Sequence, residues 1–383
     1  MIRRVIFFFI FLLAIALVVG SQVLPARVDR STNGLVEHAP YAISEEARRL
    51  HESLRIVDLH SDTLLWKRDP LKRHDFGHMD LPRLKAGNVK LQVFSATTKS
   101  PEGQNYGSND GDTDRITALV QVQGWPYRTW GSLYERALYQ SERLDRMERK
   151  AGGEFLYVQT QADLESVLSG EAIGGIYLIE GGHPLEGDIA NLDRLFDAGL
   201  CVVGLQHFFD NELGGSLHGL SGDGLTGFGR EVVARAGAKS MIIDVAHSSE
   251  AVVRDVLEMS SRPLIVSHTG FFGACETQRN IPDALMVQIA EAGGLIGVGY
   301  WDGAVCDASP KGVARSIAYG IELVGAEHIA LGSDYDGATT VYFDTSELAA
   351  LTQALLDEGV SSEDIRAVMG ENAIRFFLEN LPK

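Results

Sequence analysis

Cysteine is scarce in this chain: Cys201, Cys275 and Cys306 are the only three among 383 residues. So few exclude a disulfide-built scaffold, and the odd count leaves at least one thiol outside any intrachain bridge. Cys201 opens an apolar run and reads as a small buried hydrophobe, which leaves Cys275 and Cys306 as candidates for one bridge. Basic charge is short too, with 34 Lys and Arg against 52 Asp and Glu and a formal net charge of -18. Such a chain repels phosphate backbones and anionic membrane surfaces, so nucleic acid is not an expected partner. Several catalytic signatures are missing. Gly181-Gly182 and Gly214-Gly215 lack the lysine of a phosphate loop, and neither a Gly-x-Ser-x-Gly elbow nor a His-Glu-x-x-His helix occurs. Asp334-Tyr335-Asp336-Gly337 starts like a calcium loop but lacks the later ligands and the terminal glutamate.

Long apolar runs are limited to one, Val5 to Val19, preceded by Arg3 and Arg4 and closed by Gly20 and Ser21. This pattern is that of an export signal, shorter than the ~20 residues of a comfortable membrane span. No Ala-x-Ala site follows, so residues 1–21 are expected to be a signal peptide or an uncleaved N-terminal anchor. The mixture of Pro, Arg, Ser, Asn and Gly over residues 22–43 has no periodicity and reads as a tether. The expected location is exported, periplasmic or extracellular, with the N-terminus as a possible membrane tether. The chain ends at Leu381-Pro382-Lys383 without an apolar tail, which argues against a lipid anchor of the GPI type.

Residues 44–383 read as a single catalytic domain. Short β-rich runs alternate there with stretches of helical period: residues 55–59, 89–94, 175–179, 202–206, 241–246, 264–267, 295–299 and 329–332. Eight such runs predict a distorted (β/α)8 TIM-like barrel, with an open doubly wound sheet as the competing architecture. Nearly every run ends in a polar residue able to do chemistry, which favours the barrel, because an open sheet gathers its site at one switch point. Residues 112–150 predict helical decoration after the second strand, interrupted near Pro126. Residues 363–378 predict an amphipathic closing helix capped by Ser361 or Ser362.

His60 and Asp62 stand two apart after the first run, and a period of two turns alternate side chains the same way. His247 and His268 each end a run of their own on successive strands, close enough to converge on one ion. Glu180 ends the third run ahead of two glycines and could bridge two cations. Asp334 ends the last run, where a carboxylate beside an activated water could take its proton. His207 could polarise a carbonyl, steady an oxyanion or act as a further ligand. Arg279, on the loop after His268, could hold a carboxylate through its planar fork.

These residues, in their order and spacing, resemble the membrane (renal) dipeptidase family, zinc-dependent dipeptidases of the amidohydrolase superfamily. The resemblance runs from about Ile56 to Phe377 and is carried by Val57-Asp58-Leu59-His60-Ser61-Asp62, Leu81-Pro82-Arg83-Leu84-Lys85-Ala86-Gly87, Ile179-Glu180-Gly181-Gly182-His183, Ile243-Asp244-Val245-Ala246-His247, Ser267-His268, Arg279-Asn280-Ile281-Pro282-Asp283 and Gly332-Ser333-Asp334-Tyr335-Asp336-Gly337. It implies one zinc on His60, Asp62 and Glu180 and a second on Glu180, His247 and His268, with a bridging hydroxide as nucleophile. It further implies that Asp334 shuttles the proton and meets the dipeptide ammonium, that His207 stabilises the oxyanion and that Arg279 holds the C-terminal carboxylate. A Cys275–Cys306 disulfide and a homodimer follow from the same resemblance. One departure concerns a substrate-holding tyrosine of relatives, which has no counterpart after Trp301, where Asp302-Gly303-Ala304 stands. The competing readings are another binuclear amidohydrolase acting on lactams, lactones or cyclic amides, and a catalytically silent binding protein on the same scaffold. Retention of all five ligands together with Asp334 argues against the silent one.

Overall fold

In a computed structural model of the protein, the described residues are 23–383, so the predicted export segment, residues 1–21, lies outside them. Among the described residues no helix is long and apolar enough to cross a membrane. Eight parallel strands form the centre: β1 (Ile56–Asp58), β2 (Val89–Thr97), β3 (Ile173–Glu180), β4 (Leu200–Gly204), β5 (Ile242–Asp244), β6 (Ile265–Thr269), β7 (Leu295–Val298) and β8 (Ile329–Leu331). Pairing runs β1 to β8 in chain order, and β8 returns to β1, so the sheet closes into the expected (β/α)8 barrel. Each of the eight runs read from the sequence overlaps one strand of the ring.

The barrel is uneven. β2 and β3 share seven register pairs, from Leu91↔Gly174 to Thr97↔Glu180, whereas β8 meets β1 only at Leu331↔Asp58 and β5 meets β6 only at Asp244↔Ile265. A short strand that the sequence reading missed, Phe155–Tyr157, pairs with the beginning of β3, before β4 takes over from Tyr177. Gly175 makes this possible, because a Cβ there would stand 2.3 Å from the Phe155 ring.

The closing helix packs at the N-terminal ends of the strands. Asn372 Nδ2 donates to Ala326 O ahead of β8 and to Ile329 O at its first residue, and Gly370 fits against Arg55 O just ahead of β1, where a Cβ would lie 1.8 Å from that oxygen. Ser361 caps it as expected, and a π turn over Ala367–Glu371 interrupts it before Asn372–Asn380. Ile374, Phe376 and Phe377 share an apolar cluster with Val57, Leu91 and Ile176 of the strands. The opposite ends of the strands are left free for chemistry. The decoration after β2 forms helices Arg115–Val122 and Leu133–Lys150, broken around Pro126 as the sequence predicts. Ile116, Val120 and Trp125 pack there on Leu65 and Trp66.

The expectation of a tether over residues 22–43 needs correction. Residues 23–32 are helical, Gly34–Leu35 pairs in parallel with Thr340–Val341, and the Tyr41 hydroxyl donates to Tyr342 O. Polar residues that suggested a solvated linker are instead partnered across the fold: Asp29, 2% exposed, accepts from Arg68 Nε at 2.7 Å. Composition could not reveal this, because the partner lies 39 residues away along the chain.

Candidate active site and metal centre

Parallel strands deliver their last residues to one face, and that face holds every site residue read from the sequence. Glu180 is the last residue of β3 and His268 lies within β6, while His60, Asp62, His207, His247 and Asp334 follow β1, β4, β5 and β8 by two to four residues. None of these residues, nor Arg279, is more than 8% exposed. Two sit in left-handed backbone, His247 at φ 64° and Asp334 at φ 57°. That conformation costs a residue with a Cβ about 1–2 kcal/mol and persists where the surroundings demand a particular side-chain direction.

The side chains converge on one carboxylate. His60 Nε2, His247 Nε2 and His268 Nε2 stand 3.6, 3.3 and 3.4 Å from Glu180 Oε1, and His207 Nε2 stands 3.5 Å from Oε2. Asp62 Oδ2 and Asp334 Oδ1 are each 3.9 Å from His60 Nε2. Three overlapping groups could hold a cation: His60 with Asp62 and Glu180, Glu180 with His207 and His247, and His60 with His268 and Asp334.

The neighbours fix which ring nitrogens face inward. Ser267 Oγ donates to Asp244 Oδ2 at 2.6 Å, and its lone pairs face His268 Nδ1 at 2.9 Å and His60 Nδ1 at 3.2 Å. One hydroxyl has one proton, so both imidazoles donate from Nδ1 and turn Nε2 toward Glu180. Asp244 is itself held by the backbone N–H groups of Ala246 and Ser267. The same clasp recurs at β1, where Asp58 accepts from Ser333 N at 2.8 Å and Ser333 Oγ at 2.5 Å. Thr97 Oγ1 lies between Asp62 Oδ1 and Glu180 Oε2, at 2.9 and 2.8 Å. His207 Nδ1 faces Lys99 O at 3.2 Å, which turns its Nε2 into the pocket.

The charges call for cations. Burial opposes a proton on His60, but Glu180, Asp62 and Asp334 outweigh it and lift its pKa to about 10. Burial alone would raise Glu180, yet His207, His60 and His268 carry it down to about 2, so it stays ionised. Burial and the Glu180 charge raise Asp62 above the usual carboxylate range. Asp334 goes well above it, driven by burial and by Asp62 and Glu180 against the pull of His60. His247 and His268 are held neutral by burial and by the positive groups beside them. His60 Nε2 has no hydrogen-bond partner although it is buried, an omission worth about 1–3 kcal/mol for a polar group. The Nε2 atoms of His247 and His268 face each other at 2.9 Å, where at most one can hold a proton. A metal cation in place of the His60 proton would leave three neutral inward-facing imidazoles among ionisable carboxylates, a donor set suited to divalent metal, and zinc takes these ligand types.

Around this centre lies a cavity of about 230 Å³, smaller than the about 300–1,000 Å³ of a drug-sized ligand site. Arg279 lines it with its guanidinium 5.4 Å from the Trp301 ring centre, donating to His268 O at 2.6 Å, while its Nε has no partner among the described residues. Trp301 Nε1 donates to Tyr106 Oη at 2.8 Å, leaving the phenol proton uncommitted. Gly303 admits that phenol, since a Cβ there would lie 2.6 Å from Oη. The tyrosine absent after Trp301 thus has a phenol nearby from another loop. Cys275 and Cys306 are bonded, and Cys201 is buried and free.

The sequence reading quoted Asp58, Asp244, Ser267 and Ser333 within its motifs but gave them no role, and it passed over Thr97 and Tyr106. A carboxylate inside an apolar run was the available clue for the two aspartates, because a strand buried on both faces takes up an ionisable group only when something binds it.

A family model of membrane dipeptidases, peptidase family M19, matches residues 44–380. A dipeptidase of Aspergillus oryzae, aclJ, is 27% identical over 347 residues, covering 84% of this chain and 76% of its own. Among solved structures, a metallopeptidase of family M19, dipeptidase AC, superimposes with a TM-score of 0.73 at 26% identity, over 86% of this chain and 99% of that one. A metallopeptidase of Rhodobacter sphaeroides, solved with a phosphinate mimic of L-Ala-D-Ala, gives 0.70 at 25% identity over 86% and 99%.

Proposed function

The chain belongs to the membrane dipeptidase family, peptidase family M19, and from that premise we propose that it hydrolyses dipeptides with two zinc ions. His60, Asp62 and Glu180 would hold one, and Glu180, His247 and His268 the other. The observation that carries this reading is the convergence of three inward-facing Nε2 atoms on Glu180 Oε1, within 3.6 Å. Bound there, the pair would supply a water of lowered pKa and polarisation of the scissile carbonyl.

The chain's own residues do the rest. Asp334 takes the proton lost by the attacking water at its carboxylate and returns it to the leaving amine, from a place 3.9 Å from His60 Nε2. His207, with Nδ1 facing Lys99 O, turns Nε2 toward the oxygen that gains charge. Arg279 and the free phenol proton of Tyr106 receive the substrate's C-terminal carboxylate, and Asp334 meets its ammonium. A small cavity with charged groups for both termini favours two residues over longer peptides.

The deciding experiment is metal analysis of the purified protein, paired with dipeptide hydrolysis before chelation, after it, and after zinc return. About two zinc ions per chain are expected, with activity that disappears and comes back. Capping either end of the dipeptide should abolish turnover. Hydrolysis of lactams or lactones without dipeptide turnover would replace this reading by the other amidohydrolase chemistry. We also place the protein outside the cytoplasm: the Val5 to Val19 run and the Cys275–Cys306 bridge both support export. Cell fractionation with N-terminal sequencing tests that assignment and tells a cleaved signal from an anchor.

A further inference from the structure

Residues 23–43 precede the stretch matched by the family, which begins at residue 44, yet they reach the loop that carries Asp334. We propose that the segment 29–36 braces this loop, and that Asp29 and Asn33 are positioning residues for hydrolysis. The inference rests on the part given to Asp334 above.

The loop requires bracing. Asp334, Asp336 and Ala338 occupy left-handed backbone at φ 57°, 63° and 63°. Alternate residues with a Cβ keep that conformation only where contacts around them leave no other choice. Inside the loop, Gly337 N and Thr339 Oγ1 both donate to Asp334 O, at 3.1 Å each. The remaining restraint comes from outside.

Asp336 is the central hold. It accepts from Thr63 Oγ1 at 2.6 Å and His78 N at 2.8 Å, and its own N–H donates to His78 Nδ1 at 3.0 Å. The other nitrogen of that ring, Nε2, therefore carries the proton and donates to Gly34 O at 3.0 Å. Arg68 forms an ion pair with Asp336 at 2.7 Å and another with Asp29 at 2.7 Å, and all three are nearly inaccessible to water. Gly77 leaves room for that guanidinium, since a Cβ there would be 2.2 Å from Arg68 Cζ. Asn33 joins both ends of the arrangement: its Nδ2 donates to Asp29 Oδ1 at 2.8 Å and its Oδ1 accepts from Ala338 N at 3.0 Å. Gly34 N donates to Thr339 O, and Gly34 and Leu35 continue as a strand beside Thr340 and Val341.

The loop is thus gripped directly at residues 338, 339, 340 and 341 by a segment the family match leaves out, and at 336 through Arg68 and His78, which that segment holds by Asp29 and Gly34 O. Loss of Asp29 leaves Arg68 with one of its two carboxylates, and loss of the Asn33 oxygen strands the Ala338 N–H. Either change lets Ala338 and Asp336 relax out of the left-handed region and swings the Asp334 carboxylate, two residues away, off its place 3.9 Å from His60 Nε2.

The test uses the full chain with zinc supplied and the variants Asp29→Ala and Asn33→Ala. Amide hydrogen exchange over residues 334–341 should quicken at least about 10-fold while that of β6 stays as it was, since only the local opening has changed. For dipeptide hydrolysis kcat should fall about 10- to 100-fold, the scale of a misplaced catalytic group, with KM rising as the substrate ammonium loses its partner and zinc content nearly constant. In an Asp334→Asn background the same variants should cause no further loss, because they act through that carboxylate. Unchanged exchange over 334–341 in both variants would overturn the proposal, as would an equal fractional loss of kcat with and without Asp334. Should the wild type hydrolyse no dipeptide, the functional reading fails while the exchange measurement still decides on the brace.

Discussion

Replacing Ser267 by alanine removes one oxygen atom and unfastens two imidazoles. The hydroxyl donates to Asp244 Oδ2 and accepts from Nδ1 of both His60 and His268. Asp244 keeps its bonds from Ala246 N and Ser267 N, so the carboxylate loses one charge-assisted hydrogen bond, worth about 1.5–3 kcal/mol. Each imidazole loses the acceptor that holds its proton on Nδ1, and either tautomer then becomes available. Partners of this kind are worth about 10- to 100-fold in metal affinity, or about 1.4–2.7 kcal/mol. The assay is competition with a chromophoric chelator, giving two zinc dissociation constants for wild type and Ser267→Ala, with long-range nitrogen-15 spectra reporting the tautomers. One constant for each proposed ion should weaken by that factor, because His60 and His268 belong to different ions. The reasoning is refuted if Ser267→Ala binds both ions as tightly as wild type, or if the wild-type rings carry their proton on Nε2.

Tyr106→Phe removes the free phenol donor and should raise KM for dipeptides about 10-fold, the scale of one hydrogen bond to a charged group, with kcat less affected; steady-state kinetics checks the split. Replacing Cys275 and Cys306 by serine reopens a loop spanning 31 residues and should lower stability by about 3–4 kcal/mol, read from denaturant unfolding of the oxidised wild type against the variant. His51 is buried with its pKa lowered by burial to about 4, below the value of about 6.5 in an unfolded chain. The unfolded state therefore takes up a proton first, and stability present above about pH 6.5 is lost as pH falls toward 4, by up to about 3 kcal/mol. His51→Asn should flatten that part of the melting-temperature profile, and an unchanged slope would assign the acid sensitivity elsewhere.

The barrel was legible because each strand is a short apolar run followed by a polar residue, a local pattern that survives without any knowledge of partners. The convergence of His60, Glu180, His247 and His268 on one face was legible for the same reason, since all four stand at such run ends. What escaped depends on pairs brought together only by closure. Ser267 is an unremarkable serine until Asp244 and two imidazoles surround it, and Tyr106 reaches Trp301 across 195 residues of sequence. Residues 23–43 were misread because their polarity is spent on partners in the barrel loops, and composition is the same whether a polar group faces water or a buried arginine. Phe155–Tyr157 escaped because three residues give no period to read.

The two thinnest seams of the barrel, β8 with β1 and β5 with β6, have one register pair each. They are the two seams spanned by the Asp58–Ser333 and Asp244–Ser267 clasps. Side-chain hydrogen bonds stand there in place of backbone rungs, and the residues they steady include His60 and His268. The ring is therefore sewn shut where it grips its cargo: in the proposed holoenzyme His247 and His268 share an ion across the β5–β6 gap and His60, beside the β8–β1 gap, holds the other, so loading the centre also tightens the hoop. Losing the ions should loosen these two joints first, while the long β2–β3 pairing stays intact, and a barrel of this kind would come apart along predetermined lines.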